Sequence, residues 1–259
     1  MSRNGITYDA CFKSPAISPG AKPSQSFNLD EEAHKQGMGI SKVAQNLAVV
    51  RETLSDRPVK LIAVTKHATI DQITEAHNLG VSDFGENRLQ DALKKRTMLP
   101  PQVALQSTWH FIGHLQSNKV KQAVGNFSLI HSVDSFRLLE EVARVASQKG
   151  TTQRVLLQVK IVRDDAKSGF SIQELKEAMP EILKLESIKV EGLMTITPFD
   201  ADIQTSAVSF NGLRLLRDEL NATYGTELKE LSMGMSDDWQ QAISCGSTMI
   251  RLGRAIFDS

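Results

Sequence analysis

Short apolar runs with the composition of β-strands alternate with amphipathic helical stretches along most of the chain, and this alternation constrains the fold more than any other feature. The apolar runs predict eight strands, over 59–65, 82–85, 108–113, 129–133, 154–161, 188–196, 228–233 and 248–252. Helices are predicted between them, near 70–79, 87–97, 117–125, 136–148, 172–186, 206–223 and 237–244. Strands separated by helices are typical of a parallel sheet, because a parallel crossover needs a helix-length connection.

The pattern predicts one domain over residues 38–259 with the architecture of a (β/α)8 TIM barrel. A further helix is predicted over 40–54, before the first strand. No full eighth helix is expected after the last strand, and the helix over 40–54 is expected to cover the part of the barrel that this leaves open. An open doubly wound sheet is the alternative that periodicity leaves open. Residues 1–37 are rich in proline and serine and lack apolar periodicity, which predicts a disordered N-terminal extension.

Composition argues against several kinds of partner. Lysine plus arginine and aspartate plus glutamate are equal at 30 each, so the basic surface of a nucleic-acid-binding protein is not expected. No apolar stretch approaches the roughly 18 residues of a membrane span, and no apolar signal segment precedes the domain. The two cysteines, Cys11 and Cys245, are too few for a disulfide framework. We therefore expect a cytoplasmic protein without membrane or nucleic-acid partners.

Lys66 ends the first predicted strand on the same face as Ile62 and Val64, because successive side chains of a strand point to opposite faces. If that face points into the barrel, Lys66 lies at the C-terminal rim, where TIM barrels carry their active sites. An amine that is partly removed from water there can attack a carbonyl group. A solvated lysine at a strand end is the alternative.

The last predicted strand places Met249, Arg251 and Gly253 on its inward face. A guanidinium suits phosphate recognition, and a glycine lets a ligand approach the backbone. The loop after the seventh strand, residues 232–236, is expected to N-cap a helix with Ser236 and to offer backbone N–H groups to an anion. Lysine, arginine and loop together favour a phosphorylated carbonyl ligand, although the loop alone is typical of an ordinary strand–helix turn.

Other polar side chains are expected at the same rim and could contact a ligand: Asn87, His110, Asn118, His131 and Ser132. Capping or internal hydrogen bonding is the more common role for any one of them. The six histidines show no spacing typical of a metal site.

Eight segments, spread over about residues 40–257, form a specific combination. They are AVTK at 63–66, FGENRLQDA at 84–92, WHFIGHLQSNK at 109–119, IHSVDS at 130–135, KSGF at 167–170, EGLMTI at 191–196, ELSMGMSDDWQQAI at 230–243 and IRLGRAIF at 250–257. The combination resembles the pyridoxal phosphate homeostasis protein family, also called the YggS or PROSC family, and in particular its cyanobacterial-type branch.

The resemblance implies an alanine-racemase-like barrel, a fold-type III pyridoxal-phosphate protein, in which Lys66 carries pyridoxal 5'-phosphate as an internal aldimine. It implies phosphate contacts from Ser232, Met233, Gly234, Arg251 and Gly253, and contacts near the ring from Asn87, His110, Ser132 and Met194. It also implies a role in intracellular pyridoxal phosphate (vitamin B6) homeostasis and amino-acid and keto-acid balance, with transient contacts to apoenzymes that use this cofactor. We expect a monomer.

Catalytic turnover is not expected, because the tyrosine base that alanine racemases set opposite the lysine has no counterpart. Tyr8 lies in the predicted extension and Tyr224 at a helix end. The leading hypothesis is a cofactor carrier or regulator. A pyridoxal-phosphate-dependent racemase or lyase and a cofactor-free Schiff-base aldolase are the alternatives.

Overall fold

Eight parallel strands close into a barrel and pair in chain order. They are β1 (Lys60–Val64), β2 (Asp83–Glu86), β3 (Thr108–Phe111), β4 (Leu129–Val133), β5 (Gln153–Gln158), β6 (Ile188–Met194), β7 (Glu230–Ser232) and β8 (Met249–Leu252). The closing seam joins β1 to β8, with Lys60 opposite Met249 and Ala63 opposite Leu252. The seam confirms the predicted barrel and excludes an open sheet, whose outer strands would have unpaired edges.

The computed structural model describes residues 40–55, 57–162, 168–198 and 201–258. The extension predicted over 1–37 lies outside these ranges, and the residues from Ser41 onward form one compact unit. None of the helices in the described ranges combines the length and the apolarity that crossing a bilayer requires.

Ten α-helices are found within the described ranges. They are α1 (Lys42–Leu54), α2 (Ile70–Asn78), α3 (Leu89–Met98), α4 (Pro101–Gln106), α5 (Val120–Ala123), α6 (Phe136–Gln148), α7 (Ile172–Ile182), α8 (Ile203–Tyr224), α9 (Trp239–Ser244) and α10 (Arg254–Phe257). Side-chain capping boxes at Thr69–Gln72 and Ser171–Glu174 begin α2 and α7.

Two regions differ from the predicted helices. The helix expected over 117–125 is a 3-10 turn at Ser117–Lys119 followed by the single turn of α5. Helix α4 is absent from the prediction because the adjacent Pro100 and Pro101 are typical of a loop. Pro101 instead occupies the first turn of α4, where its fixed φ is compatible with a helix and its missing N–H costs no hydrogen bond.

The strand side chains divide between two apolar layers. Ile62 and Met249 belong to a small cluster inside the barrel, whereas Ala63, Ile250 and Leu252 belong to the large cluster between the strands and the helices. This division confirms the predicted orientation of β1 and β8. Alternation then directs the side chain of Arg251 into the barrel interior.

Helix α1 and the short α10 lie together at the β8–β1 seam. The amide of Asn46 donates hydrogen bonds to the carbonyl oxygens of Ile256 (3.0 Å) and Asp258 (3.2 Å). Leu47 and Val50 are buried in the outer cluster. The helix before β1 therefore covers the wall that a full eighth helix would cover, as predicted.

Candidate functional site

A cavity of about 880 Å³ opens at the C-terminal ends of the strands. Four of the ten predicted site residues line it: Lys66 after β1, Asn87 after β2, Arg251 on β8 and Gly253 directly after β8. These positions are far apart in the chain and meet because the barrel seam brings β8 beside β1. The cavity lies at the end of the barrel where ligand sites of this fold occur.

Lys66 has an exposed side chain, and the backbone beside it is held by a buried ion pair. Glu86 is 1% exposed and accepts hydrogen bonds from Lys95 Nζ (2.7 Å) and from the hydroxyl of Thr65 (2.6 Å). Lys95 Nζ also donates to the carbonyl oxygens of Thr65 and Lys66. We call Thr65, Glu86 and Lys95 the lysine clamp, because they fix the chain where it leaves β1.

Asn87 lines the cavity and carries an unsatisfied polar atom. Its Oδ1 is buried and has no hydrogen-bond partner among the described residues. A buried amide oxygen without a partner costs about 1–3 kcal/mol. A polar ligand in the cavity can supply the missing hydrogen bond.

Arg251 is a buried cation held by neutral groups. Its guanidinium donates to Ser232 Oγ (2.7 Å) and to the carbonyl oxygen of Thr195 (3.0 Å). Within the described ranges no carboxylate lies within 4.0 Å of it, although the charge of Asp238 acts on it at longer range. Burial lowers the pKa of Arg251 to about 10, so the group stays charged at neutral pH. A buried positive charge beside an open cavity favours an anionic ligand.

The loop after β7 differs from its prediction in one respect. Helix α9 begins at Trp239 with Asp238 at the N-cap position, so the prediction that Ser236 caps it was wrong. Asp238 instead accepts from the backbone N–H of Met235 and from the hydroxyl of Thr197. The Ser236 hydroxyl accepts from the backbone N–H of Ala255 at 3.2 Å, which ties the two loops after β7 and β8 together.

Gly234 in this loop has φ +95°, and a Cβ there would lie 2.6 Å from Cβ of Ala242. We expect Gly234→Ala to lower the free energy of unfolding more than Gly125→Ala. Gly125 also has a positive φ (+78°), but an added Cβ there would have nothing within 4 Å. The loss of stability in Gly125→Ala is therefore expected to come from backbone strain alone, about 1–2 kcal/mol. Urea denaturation of both variants measures the difference. Equal losses would contradict the packing described for the loop.

Six predicted site residues do not line the cavity, and the structure gives each of them another environment. Met194 belongs to the cluster inside the barrel, and Met233 packs in the outer cluster. The hydroxyl of Ser132 donates to the carbonyl oxygen of Gly113. His110 and Ser232 are buried, with side chains hydrogen-bonded to other protein groups, and Gly234 accepts a backbone hydrogen bond from Arg251.

Of the further candidates, Asn118 is exposed in the 3-10 turn, and His131 is fully buried inside the barrel. Tyr224 ends α8 and donates its hydroxyl to the carbonyl oxygen of Lys176, so this hydroxyl is engaged on the helical layer. The expected lack of a tyrosine opposite Lys66 remains a prediction for the chain as a whole, because Tyr8 lies outside the described residues.

The lysine clamp was missed in the sequence, although one signal was present. Glu86 follows Phe84 by two residues, so alternation places both side chains on the face of β2 that meets the helices. A carboxylate at such a position is rarely buried without a partner. The signal indicates that a partner exists, but it does not identify Lys95.

Comparison with known proteins gives consistent matches. The family model described as the alanine racemase N-terminal domain matches residues 39–259. A pyridoxal phosphate homeostasis protein of Synechocystis sp. is 40% identical over 212 residues, which cover 81% of this chain and 96% of that protein. One from Bos taurus is 38% identical over 239 residues, covering 85% of this chain and 86% of that protein.

Among solved structures, PipY of Synechococcus elongatus with PLP bound has a TM-score of 0.76 and 38% sequence identity. The match covers 83% of this chain and 99% of PipY. The matches to Synechocystis and Synechococcus fit the cyanobacterial-type branch predicted from the motifs. The chain therefore belongs to the alanine racemase N-terminal-domain family and, within it, to the pyridoxal phosphate homeostasis proteins.

Proposed function

We propose that this protein binds pyridoxal phosphate at the C-terminal end of the barrel and serves intracellular pyridoxal phosphate homeostasis, and through it amino-acid and keto-acid balance. The observation that carries the proposal is the meeting of Lys66, Asn87, Arg251 and Gly253 around one cavity. The relatives named pyridoxal phosphate homeostasis proteins and the PLP-bound PipY support the same ligand.

The residues present fit this cofactor. When bound, pyridoxal phosphate supplies an aromatic ring, a phosphate group and an aldehyde. The aldehyde can condense with an amine. Lys66 provides the amine, and Arg251 provides a buried charge that no carboxylate among the described residues neutralises at close range. Asn87 provides a polar atom that still lacks a partner. Gly253 lines the cavity without a side chain, so its backbone is open to the ligand.

The six predicted contacts that do not line the cavity act indirectly in this proposal. Ser232 holds Arg251, and Gly234 and Met233 shape the loop after β7. Met194 packs inside the barrel below the cavity, and Ser132 fixes the chain at Gly113. His110 is hydrogen-bonded to Asp83 and His131 inside the barrel.

We propose a carrier or regulator rather than an enzyme. A racemase needs a second base opposite the lysine, and no tyrosine in the described ranges lines the cavity. The competing racemase or lyase activity is tested by α-proton exchange on a panel of amino acids. Turnover at about 1 per second or faster, the range of ordinary enzymes, would replace the carrier proposal.

The carrier function is tested by mixing the pyridoxal-phosphate-loaded protein with an apoenzyme that needs this cofactor. We expect the apoenzyme to gain activity while the carrier loses its visible absorbance. A low-molecular-weight trap for free pyridoxal phosphate separates direct transfer, which persists, from release into solution, which the trap abolishes. Absence of any transfer would overturn the carrier role while leaving binding intact. The proposal includes transient apoenzyme contacts, a monomeric state and a cytoplasmic location.

Arg251→Gln is expected to weaken pyridoxal phosphate binding about 10- to 100-fold. The substitution removes a charge-assisted contact, which contributes about 1.5–3 kcal/mol, and each 1.4 kcal/mol is tenfold in Kd. Equilibrium dialysis measures the change. Arg144→Gln is the matched control, because Arg144 is exposed on α6 and pairs with Glu141 away from the cavity. Equal affinity of the two variants would mean that Arg251 does not bind the ligand.

A further inference from the structure

A continuous chain of side-chain hydrogen bonds crosses the barrel interior beneath the cavity. Asp83 Oδ1 lies 2.9 Å from His110 Nε2, and His110 Nδ1 lies 2.9 Å from His131 Nε2. His131 Nδ1 lies 2.8 Å from Ser232 Oγ, which accepts from Arg251 at 2.7 Å. The five residues come from β2, β3, β4, β7 and β8. We call them the barrel relay.

The relay joins opposite ends of the barrel. Asp83 begins β2 at the N-terminal end, where Lys60 Nζ lies 3.6 Å from its carboxylate. Arg251 reaches the cavity at the C-terminal end. The three residues between them, His110, His131 and Ser232, are each at most 1% exposed. Packing alone would favour apolar side chains at such positions, so three linked polar groups need a separate explanation.

The two ends of the relay fix the direction of hydrogen-bond donation. Arg251 can only donate, so Ser232 Oγ accepts from it. An ionised Asp83 can only accept, so His110 Nε2 carries the proton between them. Burial alone would raise the pKa of Asp83, but hydrogen bonds from His110 and Ser82 and the charge of Lys60 lower it. Asp83 is therefore ionised at neutral pH.

Three arrangements satisfy these ends: both imidazoles neutral, His110 cationic, or His131 cationic. With both imidazoles neutral, the Ser232 hydroxyl donates to His131 Nδ1, and His131 Nε2–H donates to His110 Nδ1. With His110 cationic, His131 donates from Nδ1 instead, and the Ser232 hydroxyl loses its acceptor in the relay. Burial lowers the pKa of His131 well below the usual histidine value, as do the charges of Arg251, Lys60 and Arg154, which disfavours the arrangement with a cationic His131. The neutral arrangement satisfies the Ser232 hydroxyl hydrogen and the N–H of each imidazole, and it places no further charge in the interior.

We propose that His110 and His131 are neutral positioning residues, both protonated on Nε2, that orient the Ser232 hydroxyl and so fix Arg251 at the cavity. Donation runs in one direction, from Arg251 through Ser232, His131 and His110 to Asp83. The histidines thus act on the ligand through Arg251 and do not contact it. This inference rests on the proposed function only for the identity of the ligand.

The direct test is ¹⁵N NMR of the full-length protein labelled at histidine, without and with pyridoxal phosphate. The variants His110→Gln and His131→Asn assign the two signals among the six histidines. We expect both imidazoles to show a protonated Nε2 and a bare Nδ1 at pH 7. A doubly protonated His110, or a His131 protonated on Nδ1, would overturn the proposal. This readout needs no ligand, so it stays informative if pyridoxal phosphate does not bind.

Binding measurements test the positioning role. We expect His131→Leu to weaken pyridoxal phosphate binding about tenfold and to shift the visible spectrum of the bound form. His131→Asn is expected to restore much of the affinity, because an amide can both donate and accept. His77→Leu, on the outer helix α2, is the matched control. Equal affinity of folded His131→Leu and His77→Leu, or equal losses in His131→Leu and His131→Asn, would overturn the positioning role.

Discussion

Lys66→Ala is expected to lose covalently held pyridoxal phosphate completely. Among the described residues that line the cavity, Lys66 is the one that carries an amine, and the substitution removes it. The proposed contacts from Asn87, Arg251 and Gly253 are left in place. After incubation with pyridoxal phosphate and gel filtration, the variant should emerge without the visible absorbance of the wild-type protein. Weak, reversible binding of pyridoxal phosphate should persist and be measurable by dialysis.

Lys94→Ala is the control for this experiment, because Lys94 is exposed on α3 and does not line the cavity. Its absorbance and retention should match the wild-type protein. Retention of colour by Lys66→Ala at the wild-type level would show that another lysine carries the cofactor. The assignment made from strand alternation and family motifs would then be wrong.

Lys95→Met is expected to lower the free energy of unfolding by about 3–5 kcal/mol. The substitution leaves the carboxylate of Glu86, which is 1% exposed, without its cationic partner, and breaking a buried ion pair on one side costs this much. It also frees the carbonyl oxygens of Thr65 and Lys66, so pyridoxal phosphate binding should weaken as well. Urea denaturation and dialysis measure the two effects.

The neighbouring Lys94→Met provides the matched control, since it changes the same side chain on an exposed face of α3. The double variant Glu86→Leu with Lys95→Met should recover most of the lost stability, because it removes both charges. If the double variant recovers stability but not pyridoxal phosphate binding, the lysine clamp positions Lys66 for binding. A Lys95→Met protein as stable as Lys94→Met would contradict the buried ion pair.

Periodicity was sufficient to predict the alternating strands and helices, but it left an open doubly wound sheet as an alternative to the barrel. Eight strands and eight helices were predicted from apolar spacing, because both faces of a parallel strand are buried and each helix has one buried face. Closure was harder to predict, since it depends on the pairing of β1 with β8, whose residues are almost 190 positions apart in the chain. The short α4 and the divided helix at 117–123 escaped prediction because local turn chemistry, not apolar spacing, sets them.

The candidate site was predictable where strand alternation fixes the direction in which a side chain points. Alternation placed Arg251 inward, and motifs singled out Lys66, Asn87 and Gly253. Alternation does not give depth along the strand, which is why His110 was expected at the cavity. His110 precedes the end of β3 by one residue and lies below the cavity, with both ring nitrogens hydrogen-bonded. Partners such as Lys95 and His131 depend on tertiary contacts that no local pattern contains.

The central claim, that this barrel holds pyridoxal phosphate through Lys66, is tested most directly by reduction and peptide mapping. The loaded full-length protein is treated with borohydride, digested and analysed by mass spectrometry for lysines that carry the reduced cofactor. We predict one modified lysine, Lys66, and no modified lysine in the Lys66→Ala protein. A modification at a different lysine, or none after saturating pyridoxal phosphate, would contradict the account.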